Sequence, residues 1–214
     1  MMSKSIVPVS ILLLVMLTPV DLLAQEVKFG LKGGLNSSWI GDDPAESESV
    51  LGVNVAFFTE LQFSGRISAI LDLGMNQRGF QRVQNETAYA GELIGKRKAK
   101  TRLSYFTMSP QLNVHLSKTH WRPYFGAGPR FDFLADRKPG EFEFSEVTVP
   151  DETAGLMENF VIGSVLSAGI KHGSSDGFQW KLELRYDRDF TDSIPEFPGL
   201  FRSNSVVLLF GISF

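Results

Sequence analysis

Ser205-Val206-Val207-Leu208-Leu209-Phe210-Gly211-Ile212-Ser213-Phe214 is the stretch whose reading decides the fold. Taken at every second residue, Val206, Leu208, Phe210, Ile212 and Phe214 make one apolar face; Ser205, Gly211 and Ser213 fall on the other with Val207 and Leu209. That is the period of a strand and not of a helix. An aromatic residue closing such a strand points to a transmembrane β-barrel of the bacterial kind. Lipid leaves no sheet edge unsatisfied, so the last strand must pair with the first.

Working back from this strand, the same alternation recurs. Phe178, Trp180, Leu182, Leu184 and Tyr186 oppose Gln179, Lys181, Glu183, Arg185 and Asp187; Phe160 to Ile170 oppose Val161 to Lys171. Pro123 to Phe133 and Phe106 to Leu116 give two more strands, and Pro110 and Pro129 within them predict a bulge or a local gap, because proline donates nothing to a ladder. Ile67 to Met75, Val53 to Leu61 and Val27 to Leu35 complete the set, with Trp39 at an interface end. The connections read as long at 41–49, from Gln77 to about Lys100, at 135–158 and before Ser205, and as short at Ser64-Gly65, 117–120 and 173–177. Long external loops and short periplasmic turns alternate in this way in outer-membrane barrels. The expectation is an all-β fold, an eight-stranded antiparallel up-and-down transmembrane β-barrel at 25–214. Ahead of it, Met1–Ala24 carries Lys4, an apolar block from Ile6 to Leu17 and a small-residue exit, the pattern of a cleavable signal peptide.

Alternation alone also fits a soluble, lipocalin-like barrel that binds a small molecule. The glycines favour the membrane. Gly30, Gly34, Gly52, Gly74, Gly126, Gly128, Gly163, Gly169 and Gly211 are in phase with the charged residues, whereas Gly33 is in phase with the apolar ones. A narrow bore needs room for long Arg, Lys and Glu side chains. This puts the polar face inside, with Lys32, Asp72, Arg130, Glu183 and Arg185 at mid-height as a paired polar network, and Glu60, Arg66 and Lys181 nearer the periplasmic end.

Composition narrows the function. The 214 residues are 43% hydrophobic and 21% charged, with a net charge of −3, no cysteine and 3 histidines. One domain is expected, without thiol chemistry and without the positive field that nucleic acid requires. No catalytic residue, cofactor or metal ligand is read from the chain. The run Lys96, Arg97, Lys98, Lys100 and Arg102 is placed to meet anionic lipid headgroups at the outer interface. Glu141 to Phe144 and Val147 to Val149 can extend a hairpin above the membrane.

Three stretches read together: Phe29-Gly30-Leu31-Lys32-Gly33-Gly34-Leu35-Asn36, Leu71-Asp72-Leu73-Gly74-Met75-Asn76-Gln77-Arg78-Gly79, and Pro123-Tyr124-Phe125-Gly126-Ala127-Gly128-Pro129. With the closing strand they resemble the PorT-like outer-membrane β-barrel family of Bacteroidetes-type bacteria. The resemblance implies an eight-stranded barrel in the outer membrane of a Gram-negative cell. The expected function is that of a non-enzymatic envelope protein with a filled lumen, touching outer-membrane lipid and, through its external loops, envelope or surface proteins. The alternatives are the lipocalin-like binder and a membrane-embedded hydrolase or acyltransferase using His115 with Ser109 or Thr107, which share its face. A side-chain-filled lumen argues against passive diffusion.

Overall fold

The computed structural model describes residues 26–41, 48–87, 93–138, 141–142, 149–150, 159–173, 177–191 and 202–214, with residues 48, 82–87, 93–100, 138, 141–142 and 149–150 described by backbone alone. The signal segment lies outside the described residues, as do most of the acidic loop after Gly41 and the chain from Glu143 to Thr148. Among the described residues ten strands follow in chain order: β1 (Glu26–Ile40), β2 (Glu48–Ser64), β3 (Ile67–Thr87), β4 (Leu93–His115), β5 (Trp121–Lys138), the two-residue β6 (Glu141–Phe142) and β7 (Val149–Pro150), β8 (Phe160–Gly173), β9 (Gln179–Asp189) and β10 (Ser203–Ser213). β6 and β7 pair only with each other among the described residues; the other eight close into a barrel in the order β1-β10-β9-β8-β5-β4-β3-β2. Every contact between neighbours is antiparallel. Closure runs from Gly30–Ser213 to Ile40–Ser203, and Phe29 and Phe214 exchange backbone hydrogen bonds of 3.3 and 3.0 Å.

Burial is inverted relative to a water-soluble protein. Leu35, Leu208 and Phe125 are exposed on the outer wall, while Lys32, Arg130 and Glu183 are buried. Hydrocarbon replaces water as the outer solvent, so the apolar residues face outward and the polar ones inward. Trp121, His172, Trp180 and Phe210 form a ring-to-ring chain on the outside of the short-turn end, with centroids 4.3 Å apart for Trp121–His172 and 6.4 Å for Trp180–Phe210. Such belts mark the edge of the hydrocarbon.

Two neighbouring glycines show the asymmetry of the wall. A Cβ on Gly34 would stand 1.8 Å from the Leu208 carbonyl oxygen, whereas one on Gly33 would meet nothing nearer than 3.7 Å. The inward glycines have a wider role than clearing space for charges. Those at Gly34, Gly52, Gly74 and Gly128 let adjacent backbones close up; those at Gly30 and Gly169 lie beneath the Phe58 and Tyr124 rings; Gly211 lies beneath Lys181.

The prolines leave a gap. The β4–β5 ladder runs down to Met108–Phe131 and resumes at Leu112–Ala127 in the same register, so Pro110 and Pro129 stand opposite each other in the interruption. Each still pairs on its other side, with Leu71 and Ser164 respectively.

Three expectations need correction. The connection from Gln77 to about Lys100 is mostly strand: β3 has 21 residues and β4 has 23, and only 88–92 separates them. About 9–11 residues cross a membrane, so strands of this length continue beyond it, where hydrocarbon no longer imposes an apolar alternation on the sequence. β5 likewise continues to Lys138, past a register shift opposite Ser104 and Tyr105. Arg66 is not in the lumen; it forms the exposed turn with Gly65 between β2 and β3.

Candidate functional site

Inward-facing residues of β1, β3, β5 and β9 converge on the axis of the barrel. At mid-height Lys32 Nζ lies 2.6 Å from Asp72 Oδ2 and 3.0 Å from Glu183 Oε1. The Tyr124 hydroxyl donates to Glu183 Oε2 at 2.7 Å, and Gln111 Nε2 donates to Asp72 at 2.7 Å. Arg185 reaches Asp72 at 3.4 Å and holds Asp187 through Nε and Nη2 at 2.7 and 3.1 Å. Asp187 passes the network on to Arg130, 3.2 Å away. Arg130 donates to Asp132 at 2.7 Å and also pairs with Asp189. Arg78 then binds the same two carboxylates, at 2.6 Å to Asp132 and 2.9 Å to Asp189, with its guanidinium 4.5 Å over the Tyr105 ring.

The five residues singled out from the sequence, Lys32, Asp72, Arg130, Glu183 and Arg185, thus stand in one connected network. Arg78, Asp132, Asp187 and Asp189 belong to it as well. Their phase could have found them: Arg78 and Asp189 continue the inward sets of β3 and β9 past the points where apolar alternation fades. Isolated charges in a low-dielectric interior are costly, and this arrangement gives each carboxylate at least one cation.

Above the network, towards the long-loop end, the bore is apolar. Phe80, Leu103, Tyr105 and Val161 pack together with Ile40 and Leu134 against them. Below it, Lys171 binds both oxygens of Glu60. His115 lies beside this pair, its Nε2 2.9 Å from Ser68 Oγ and 3.7 Å from Glu60 Oε1. Serine, histidine and glutamate here are not a catalytic triad. A triad sets nucleophile and acid on opposite ring nitrogens, but both approach Nε2, and Nδ1 has no hydrogen-bond partner. Ser109 Oγ likewise has no partner, and Thr107 donates to Asp132 at 2.6 Å, so neither proposed nucleophile is joined to His115 by a hydrogen bond in the described structure. Lys181 Nζ rests 3.5 Å over the Phe58 ring.

The second candidate group lies on β4. Arg102 is exposed at the rung shared with Gly79 and Lys138; Lys100, Lys98, Arg97 and Lys96 follow opposite Gln81, Val83, Gln84 and Asn85, and their side chains lie outside the described residues.

A closed barrel with a lipid-facing wall and an ion-paired bore defines an integral membrane β-barrel protein. Residues 23–195 match the model of the outer membrane protein beta-barrel domain, and the chain belongs to that family. It is a protein of the Gram-negative outer membrane. Among solved structures, it superposes on Neisserial surface protein A with a TM-score of 0.54 at 9% identity, covering 88% of this chain and 96% of that one. Looser superpositions, each with a TM-score of 0.44, are found with the outer membrane protein OprG of Pseudomonas aeruginosa (14% identity, 89% and 97% covered) and with Ail, the attachment invasion locus protein of Yersinia pestis (11% identity, 88% and 99% covered). At these identities the likeness concerns the fold. No curated protein matches the sequence.

Proposed function

We propose that the protein is a non-enzymatic barrel whose bore is sealed by ion pairs, and that it acts through the parts standing outside the membrane, where it meets other envelope or surface components. The observation that carries this reading is the reach of the β3–β4 hairpin. Among the described residues, its rungs from Arg82–Ala99 to Glu86–Gly95 lie beyond the last rung to β2, Glu48–Gln81, and beyond the last rung to β5, Arg102–Lys138. A projecting ribbon offers main-chain groups to an extended partner. Lys96, Arg97, Lys98 and Lys100 lie on its second strand, with Arg102 at its foot, and this basic segment meets anionic headgroups around the barrel. Met1–Ala24 serves as a cleaved export signal for the barrel at 25–214, and the PorT-like resemblance supports a Bacteroidetes-type envelope.

The test is capture from crosslinked cells with the intact protein and with a variant whose hairpin is shortened by removing residues 82–99. Heat-dependent migration in detergent gels checks that both are folded. The intact protein is expected to retain a component that the shortened one loses. Identical captures would remove the hairpin from the function.

A further inference from the structure

Lys96, Lys98, Lys100 and Arg102 occupy alternate positions of β4, and Arg102 sets their phase: it is exposed on the outer wall, while Thr101 and Leu103 are buried. Register with β3 is unbroken from Ile67–Val114 to Glu86–Gly95, so all of these positions fall on the outward face of the hairpin. Their rung partners on β3 are Asn85, Val83, Gln81 and Gly79. Cross-strand pairs stabilise a sheet when their charges are opposite and destabilise it when they are alike. Yet above Arg102 no rung among the described residues places an acid on this face; Glu86 stands in the opposite phase, with Arg82 and Arg97. The acids that the described backbone brings to the column are Asp136, diagonal to Arg102 across the ladder to β5, and Glu141 of β6, which runs close to β4. Lys138, the rung partner of Arg102, adds a further cation at the foot, so the column stays positive.

From Arg102 to Lys96 the strand rises about 20 Å. A layer of lipid headgroups meets the foot of such a column and not its length; the ligand that neutralises the whole of it is extended and carries anions at repeated intervals. The outward positions from Arg102 to Lys96 and from Gly79 to Asn85 include no aromatic residue on which nucleic-acid bases would stack. Nor do they include a large apolar anchor of the kind that centres a protein interface, Val83 being their one apolar side chain. We infer that this face binds a linear anionic polysaccharide of the cell surface, its acidic groups running up the column from Arg102 to Lys96. Lysine suits such a ligand, because a compact charge on a flexible stem follows unevenly spaced anions, where the arginine fork demands a fixed geometry. The outward face of a barrel strand looks sideways, so the ligand stands on the outer leaflet beside the barrel and not over its mouth. The inference rests on the reading of the hairpin as the part that acts outside the membrane, and it names one partner.

Titration of the full-length protein in discs of zwitterionic phospholipid tests this, with polygalacturonate as the probe. The unaltered protein is expected to bind polygalacturonate and not neutral dextran, and to release it as salt rises from about 0.1 M to about 1 M, since exposed charges are screened. Lys96→Gln/Lys98→Gln/Lys100→Gln is expected to lower the affinity about tenfold, several exposed ion pairs being lost together. Arg66→Gln/Lys118→Gln/Arg122→Gln, which removes as many cations from the short-turn end, is expected to leave it unchanged. Heat-dependent migration reports folding; should the first triple variant fail to fold, Lys98→Glu carries the test. Equal affinity of the unaltered and Lys-substituted proteins, equal losses in the two triple variants, or tighter binding of polyglutamate or of an oligonucleotide overturns the assignment. Capture from crosslinked cells separates the two readings: if polygalacturonate is not bound but removal of residues 82–99 still costs a captured component, this inference alone falls.

Discussion

Asp132 shows what a single inward residue holds together. Its two oxygens accept from Arg78 at 2.6 Å, Arg130 at 2.7 Å and Thr107 at 2.6 Å, so three strands meet on one carboxylate. Asp132→Ala strands two guanidinium groups in a buried place with Asp189 as their remaining shared anion. The expected loss is about 3–5 kcal/mol, read as a lower urea midpoint for the barrel in lipid vesicles. Asp136→Ala, on the exposed part of β5, is expected to stay within about 0.5 kcal/mol. At this scale the sequence was legible wherever a charge stood in phase with glycine, as at Lys32, Asp72 and Glu183. It was illegible wherever the interaction crosses the bore, as between Glu60 and Lys171, since partners 111 positions apart leave no local trace.

The prolines act at the level of the strand. Pro110 and Pro129 lie opposite one another, and the Pro110 carbonyl is turned to β5, 2.0 Å from where a Cβ on Gly128 would sit. Two missing donors therefore fall on one seam. Replacing both by valine supplies two N–H groups to carbonyls already in place, and each new hydrogen bond adds about 1 kcal/mol. The double variant Pro110→Val/Pro129→Val is expected to raise the urea midpoint by more than either single change; an unchanged midpoint would place the missing bonds elsewhere. Strands that touch lipid could be read from their alternation, which is why the closing strand and β9 were clear. The upper halves of β3 and β4 could not, because Arg78 and Phe80, with Thr101 and Leu103, face inward there and mix charged, polar and apolar residues in one phase, so the stretch from Gln77 to Lys100 reads as loop. The apolar cap was hidden for a related reason: Phe80, Leu103 and Val161 are greasy residues in the inward phase, where the alternation rule expects polar ones.

For the whole molecule, the bore is closed by charge in its middle and by packed side chains above. Purified protein in planar bilayers is expected to show no large, steady conductance steps; steps of porin size would contradict a filled lumen. The ion-paired interior has a further consequence for how the barrel comes to exist. Lys32 comes from β1, Asp72 and Arg78 from β3, Arg130 and Asp132 from β5, and Arg185, Asp187 and Asp189 from β9, so apart from the Arg130–Asp132 and Arg185–Asp187 pairs within one strand, their mutual neutralisation requires strands that are brought together across the bore. An unrolled sheet would carry bare cations and carboxylates into oil, which rejects them. Entering the bilayer and joining the first strand to the last must therefore advance together, with opposite charges meeting as the wall curls shut.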